Sequence, residues 1–89
     1  MREFSVTDDL QKILVKTEKK DKVLYLSVMK KIEEIVCCED IDHYKNLRAP
    51  MQELKRVHVG SFVLVFAYDR QKHKVEFIDF DHHDKIYAH

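Results

Sequence analysis

The region from Leu54 to Tyr87 constrains the fold of this 89-residue chain more than any other part. It holds three β-type runs, which are separated by Gly60-Ser61 and by the charged stretch from Asp69 to His73. Short links of this kind, between runs rich in Val, Ile, Phe and Tyr, connect neighbouring antiparallel strands. The pattern predicts a three-stranded antiparallel meander. Phe62 to Tyr68 is apolar on both faces, so it is the predicted central strand.

The preceding residues predict a short strand and a helical hairpin. Arg2 to Val6 alternates polar and apolar residues, as an edge strand does. Thr7 or Asp8 can cap a first helix that ends near Lys20, and Asp21 can cap a second helix directly after it. The second helix has an apolar stripe at helical spacing. Its members are Tyr25, Val28, Met29, Ile32, Ile35 and Val36.

These elements define the expected fold class. It is α+β, with an N-terminal strand, a helical hairpin and a three-stranded antiparallel meander in a single domain over residues 1–89. Residues 38–52 have no regular period and include the sole proline, Pro50, so we expect a loop that Leu47 pins to the core. The outer side of the hairpin, widened by Leu24 and Leu26, could receive a partner.

Composition narrows the class of protein. Apolar residues make up 45% of the chain, which is ordinary for a globular domain. No apolar run approaches the roughly 20 residues of a membrane span, so no membrane association is expected. The cysteines are the adjacent pair Cys37-Cys38, and neighbouring cysteines rarely bridge each other. A reduced, cytoplasmic protein is therefore expected.

Charge is unevenly distributed although the formal net charge is zero. Residues 45–74 hold seven basic and two acidic residues, a net charge of +5, whereas residues 75–89 hold one basic and four acidic residues, a net charge of −3. Two interpretations are open. The charges could be solvated surface, or the basic region could form an anion-binding face beside an acidic end.

The residues of the meander carry a family resemblance. Leu47, the run from Leu54 to Phe66 and the order of elements resemble the RelE/ParE superfamily of toxin–antitoxin toxins. That family often ends its first meander strand with alternating basic residues, a valine and a glycine, followed by an aromatic residue and an apolar strand. It tends to close with a basic cluster before a tyrosine, which here is the run from Asp81 to Tyr87.

The resemblance implies a toxin that is neutralised by a co-expressed antitoxin. The two proteins would then form a toxin–antitoxin hetero-oligomer. In one branch the activity is ribosome-dependent cleavage of mRNA, with ribosome and mRNA as partners. Arg56 and His58 match two basic positions of the first meander strand, His83 matches a frequent catalytic position, and Tyr87 matches the C-terminal tyrosine. The alternative is a ParE-like gyrase-binding toxin, or an inactive relative that acts by binding only. Val63, where many members have an arginine, and the acidic tail favour that alternative.

Metal-independent RNA cleavage needs a base for the 2′-OH, a cation for the phosphorane and an acid for the leaving oxygen. Arg56 and His58 differ by two on a strand and therefore share a face, whereas Lys55 points to the other face. We hypothesise that Arg56 clamps the phosphate and that His58 and His83 act as base and acid, in either order. Tyr87 would stack on a nucleobase of the RNA or orient the nucleophile. The expected RNA-binding residues are Lys45, Arg48, Lys55 and His82.

A metal site formed by Asp79, Asp81, His82, His83 and Asp84 is the competing interpretation of the tail. Asp79 and Asp81 share a strand face, and His83 would join them if the strand continued. The chain lacks the paired, distant Cys or His spacing that marks structural zinc. We therefore expect no metal and no cofactor. Taken one at a time, each histidine could equally be a surface or hydrogen-bonded residue.

Overall fold

The computed structural model describes residues 2–47 and 53–86. β1 (Glu3–Val6) is followed by two helices, α1 (Asp8–Lys20) and α2 (Lys22–Cys37). A short 3-10 helix (Ile41–His43) leads to the strands β2 (Lys55–Val59), β3 (Phe62–Asp69) and β4 (Lys74–His82), and a single helical turn, α3 (His83–Ile86), comes last.

The four strands form one sheet in the order β1-β4-β3-β2. β2, β3 and β4 pair antiparallel, and this confirms the predicted meander with β3 inside the sheet. β1 lies at the edge, as predicted, and pairs parallel with β4. A parallel neighbour requires a long crossover, and the helical hairpin provides it. The α+β fold class predicted from the sequence is confirmed.

Local capping explains why two helices follow each other with one residue between them. The Thr7 hydroxyl accepts a hydrogen bond from the Leu10 N–H and begins α1. Asp21 closes α1, because its backbone N–H donates to the Thr17 carbonyl at 2.8 Å. Its carboxylate accepts from the Leu24 N–H at 3.1 Å and begins α2. Asp21 thus ends one helix and starts the next, which forces the sharp reversal of the hairpin.

The helices pack their apolar stripes on one face of the sheet. Leu10 of α1 and Val28 and Ile35 of α2 are fully buried there. The sheet contributes Leu64, Phe66, Val75, Phe77 and Phe80. Full burial of side chains of this size stabilises the fold by about 1.5–3 kcal/mol each. Met29 departs from the predicted stripe, because 37% of it remains exposed.

A β-bulge in β4 changes the predicted alternation. Val65 pairs with Asp79 but Phe66 pairs with Phe77, so Ile78 is an extra residue in the ladder. Strict alternation would place Phe77 and Phe80 on opposite faces, yet both are buried in the core beneath the helices. Strict alternation would likewise place Phe77 on the same face as Asp79, and the bulge prevents this. The bulge turns both aromatic rings inward and leaves Asp79 on the other face.

Both hairpin turns fall where the sequence predicts them. Gly60 has a φ of 61°, a left-handed conformation that glycine adopts without steric cost. The second turn contains His73 with a φ of 51°. Asp69 supports this turn, since its carboxylate accepts hydrogen bonds from the backbone N–H groups of Gln71 and Lys72.

The segment before β2 is more ordered than the predicted loop. Residues 45–47 run antiparallel to β2, since the Leu47 N–H donates to Leu54 and the Arg56 N–H donates to Lys45, both at 2.8 Å. Leu47 is buried as expected, but in a second apolar cluster on the sheet face away from the helices. Val63, Val65 and Ile86 complete that cluster. Residues 48–52 lie outside the described part of the chain. None of the helices in the described residues combines the length and apolarity that a membrane span requires.

Candidate functional site

The sheet face away from the helices carries two transverse rows of side chains, and we call it the distal face. One row consists of Arg56, Val65 and Asp79, and the other of His58, Val63 and Asp81. Directly paired residues of antiparallel strands project to the same face. The distal face is therefore cationic along β2, apolar along β3 and anionic along β4.

Arg56 and His58 lie together, as the two-residue spacing predicts. Arg56 Nη1 is 3.4 Å from His58 Nε2. A guanidinium N–H can only donate, so the imidazole nitrogen is the acceptor in this contact. The Arg56 Nε also donates to the Asn46 carbonyl at 3.4 Å, which holds the half-buried guanidinium against the segment beside β2. His58 is exposed and can be reached by a ligand.

The β2 side of this face includes exposed Lys45, whose carbonyl accepts the backbone N–H of Arg56. Arg48 and Tyr87, which the sequence also nominates, lie outside the described residues. The basic character of this side within the described residues therefore comes from Arg56, His58 and Lys45.

Lys55 is not brought to the distal face. It pairs with Phe66 on the helix side of the sheet and is only 9% exposed. Its Nζ donates to the Tyr44 carbonyl at 3.2 Å and to Asn46 Oδ1 at 3.1 Å, and it lies 3.9 Å from an oxygen of Asp42. These contacts tie residues 42–46 to β2. The structure gives Lys55 a role in folding and does not join it to Arg56 and His58.

His83 lies at the hairpin end of the sheet. Its backbone N–H donates to the Ser61 carbonyl at 3.0 Å, and its Nδ1 lies 3.3 Å from the same oxygen. His83 Nε2 lies 3.0 Å from Asp84 Oδ1. Both ring nitrogens therefore face acceptors. His82 ends β4 on the helix side, with its ring centroid 5.7 Å from that of Phe62 and 4.8 Å from that of His83.

The turn α3 decides where these histidines stand. The strand stops at His82, so His83 does not continue the alternation to join Asp79 and Asp81 as the metal interpretation of the sequence required. Instead α3 folds over the distal face, and Ile86 packs against the cluster of Val63 and Val65. His83 is left beside Ser61, one row beyond the row of His58. β2 and β4 lie two strand spacings apart, about 10 Å, and between them Val63 and Val65 are buried against Leu47 and Ile86.

Asp79 and Asp81 are members of the distal face that the sequence argument did not assign to the nuclease site. Both are half-buried, and each carboxylate accepts the backbone N–H of the following residue at 2.8 Å. Their alternation along β4 was the available signal. Alternation alone shows that the two aspartates share a face. The strand register is needed to place them on the distal face, because it sets Asp79 opposite Val65 and Asp81 opposite Val63.

Shifted pKa values fall on groups away from the distal face. Burial raises the pKa of the Tyr44 phenol. The hydrogen-bonded ion pair with Asp42 raises the pKa of the Arg70 guanidinium. A hydrogen bond from Lys31 lowers the pKa of the Glu34 carboxyl. These shifts reflect burial of Tyr44 and surface ion pairs and do not mark a catalytic centre.

Solved structures of toxins share this fold. A chain of the toxin–antitoxin complex RelBE2 from Mycobacterium tuberculosis aligns with a TM-score of 0.73 and 17% identity, over 91% of this chain and 90% of that one. The isolated RelE toxin of E. coli aligns with a TM-score of 0.72 and 15% identity, over 99% and 93%. A metal-bound toxin from Helicobacter pylori aligns with a TM-score of 0.64 and 20% identity, over 98% and 100%. The fold is that of the RelE-like α+β toxins.

Sequence similarity specifies the family. The chain is 49% identical over 88 residues to RelE4, a candidate toxin of Methanocaldococcus jannaschii, and the alignment covers 98% of this chain and 92% of that relative. No protein-family model matches the chain. The extent and identity of the alignment show that the chain belongs to the RelE toxin family, which confirms the resemblance found in the meander.

Proposed function

We propose that this protein is the toxin of a type II toxin–antitoxin system and acts as a ribosome-dependent mRNA endonuclease in the cytoplasm, through a single RelE-like domain over residues 1–89. The observation that carries the proposal is the contact of Arg56 with His58 on the distal face, with His83 at the adjoining end of the sheet. Family membership supports the toxin assignment, and the side chains support the reaction.

The proposed cleavage needs no metal ion. A base removes the proton of the 2′-OH, the oxygen attacks phosphorus, the bond to the 5′-oxygen breaks, and an acid protonates that leaving oxygen. The products are a 2′,3′-cyclic phosphate and a 5′-OH. Arg56 would stabilise the charge that develops on the phosphorane oxygens, since guanidinium donors match phosphate geometry.

Hydrogen-bond partners distinguish the roles of the two histidines. His58 Nε2 faces a group that only donates, so in this contact the nitrogen acts as an acceptor and His58 suits the base. His83 faces a carbonyl and a carboxylate, which only accept, so its surroundings favour hydrogen donation from the ring and it suits the acid. Tyr87 remains a proposed stacking or orienting group. Arg48, Lys45 and His82 remain proposed RNA contacts, and Lys55 is the least supported of that set because it is buried on the other face.

An apolar groove supports the antitoxin as the partner. Phe4 of β1 and Leu26 and Met29 of α2 are 49%, 56% and 37% exposed, and all three line a groove floored by Leu14 and Ile32. β1 beside it is an edge strand. Edge strands and apolar grooves are surfaces where partner segments add a strand or seat an amphipathic helix. The expected assembly is a toxin–antitoxin hetero-oligomer.

The decisive experiment is mRNA cleavage on purified, translating ribosomes. Wild-type protein should cut the message, and Arg56→Ala, His58→Ala and His83→Ala should each reduce the rate at least about a hundredfold. His73→Asn is the matched control, because it removes a histidine from an exposed turn and asparagine tolerates the left-handed conformation there. Full activity in the three variants would overturn the site assignment.

One observation favours a second candidate, a ParE-like toxin or an inactive relative that acts by binding alone. Asp79 and Asp81 line the same face as Arg56 and would repel phosphate, and Val63 adds no cation between them. In that case wild-type protein would halt growth on expression but leave the message intact on ribosomes. Inhibition of purified gyrase would then identify the binding target.

A further inference from the structure

His82, His83 and Asp84, which we call the histidine cluster, hold three ligand-type atoms close together. A ring nitrogen of each histidine and a carboxylate oxygen of Asp84 all lie within 4.8 Å of one another. His82 Nδ1 is 3.5 Å and His83 Nε2 is 3.0 Å from oxygens of Asp84. Ligands 2.0–2.1 Å from a tetrahedral ion are about 3.4 Å apart. The cluster therefore needs only small side-chain adjustments to surround one ion.

The ring of His83 is oriented as that of a metal-binding histidine usually is. His83 Nδ1 faces the Ser61 carbonyl at 3.3 Å, so it carries the hydrogen when that bond forms and Nε2 points into the cluster. A metal-bound histidine almost always donates its second nitrogen to such a carbonyl or carboxylate, which fixes the ring. His82 Nδ1 accepts the backbone N–H of Asp84 at 3.3 Å, and an ion bound at that nitrogen would replace this long hydrogen bond.

We infer that the histidine cluster is a binding site for a divalent ion of the zinc class. Two imidazole nitrogens and one carboxylate oxygen are ligands that suit Zn²⁺, Ni²⁺ or Co²⁺ better than Mg²⁺ or Ca²⁺. The ion can enter from solvent, because the three side chains are 40%, 46% and 75% exposed. Three protein ligands leave a fourth position for water or another ligand.

The turn explains why sequence spacing argued against a metal site that these three residues could form. The usual signature is two pairs of ligands separated along the chain. Here the ligands are three consecutive residues, and the end of β4 together with the first turn of α3 brings their side chains to one point. The further consequence, that a bound ion would occupy a ring nitrogen of His83, the residue proposed as the acid of RNA cleavage, rests on the proposed function. Ion binding itself does not.

A second pair of possible zinc ligands must be distinguished from this site by experiment. Cys38 Sγ lies 3.8 Å from His43 Nδ1, and thiolates bind zinc strongly. The experiment therefore uses the full chain with Cys38→Ser as a second background. Zn²⁺ is titrated into wild-type and Cys38→Ser protein, while the imidazole resonances are followed by NMR and the stoichiometry by calorimetry.

One ion per chain should bind in both backgrounds and should shift the resonances of His82 and His83 but not those of His58 and His73. Asp84→Asn keeps the shape of an exposed side chain and should weaken Zn²⁺ binding at least about tenfold, whereas His73→Asn should leave it unchanged. Shifts confined to His43 that vanish in Cys38→Ser, or unchanged affinity in Asp84→Asn, would overturn the inference. Each of these results is independent of whether the protein cuts RNA.

Discussion

At the scale of single residues, β2 shows how spacing along a strand decides which face a side chain occupies. Residues two apart share a face, whereas adjacent residues lie on opposite faces. Arg56 and His58 project together to the distal face and contact each other. Lys55, with the same charge as its neighbour, projects into the helix side and is buried. A buried ammonium is tolerated because two acceptors and a nearby carboxylate surround it. Alternation along the strand thus separates a proposed catalytic cation from a structural one.

Replacing Lys55 by Met tests this separation. The substitution keeps most of the stem but leaves the Tyr44 carbonyl and the Asn46 side-chain oxygen without their donor. We expect the free energy of unfolding to fall by about 1–3 kcal/mol, measured by chemical denaturation. Lys45→Met, at an exposed neighbouring position, is the control and should change stability little. An RNA-binding Lys55 would instead give weaker ribosome binding with unaltered stability.

At the scale of elements, the β2–β3 hairpin positions residues of its own two strands and also His83 of α3. Gly60 makes the turn that sets His58 opposite Val63, and the next residue, Ser61, anchors His83 through its carbonyl. The turn requires a positive φ, while an added Cβ at Gly60 would meet no atom within 4 Å. The demand for glycine is therefore conformational and not steric.

Two substitutions at Gly60 separate these causes. Gly60→Ala should lower the free energy of unfolding by about 1–2 kcal/mol, because alanine pays the cost of the left-handed conformation. Gly60→Asn should cost less, since asparagine visits that region more readily. Thermal unfolding of both variants beside wild type provides the measurement. Equal losses in the two variants would argue against backbone conformation as the cause.

At the scale of the whole molecule, the sheet separates two surfaces for which we propose different functions. The helices cover one face, and at its edge Phe4 of β1 and Leu26 and Met29 of α2 remain exposed along the apolar groove. The distal face carries Arg56 and His58 on the other side of the same sheet. A partner can therefore occupy the groove without contacting the proposed catalytic side chains directly.

Leu26→Glu tests the groove as the antitoxin-binding surface, a prediction that rests on the proposed function. A charge placed in an apolar contact should weaken the complex at least about tenfold, measured by calorimetry with the co-expressed antitoxin. Val23→Glu is the matched control, because Val23 is 76% exposed on the same helix and lies outside the groove lining. Equal weakening by both variants, or by neither, would place the antitoxin elsewhere.

The sequence by itself determined the features that depend on neighbours along the chain. Helix starts at Thr7 and Asp21, the turn at Gly60, the meander and the common face of Arg56 and His58 all follow from local capping, backbone preference and period. These signals act within a few residues, so they can be read without knowing what packs against them.

Only the tertiary structure decided the features that depend on contacts between distant segments. The bulge at Ile78 arises because Phe77 and Phe80 must both enter the core. The segment before β2 surrounds the Lys55 ammonium, and the packing of Ile86 on Val63 and Val65 accompanies the turn that gathers the histidine cluster. Local period cannot show where such segments meet, because burial against a remote element overrides the alternation of a strand.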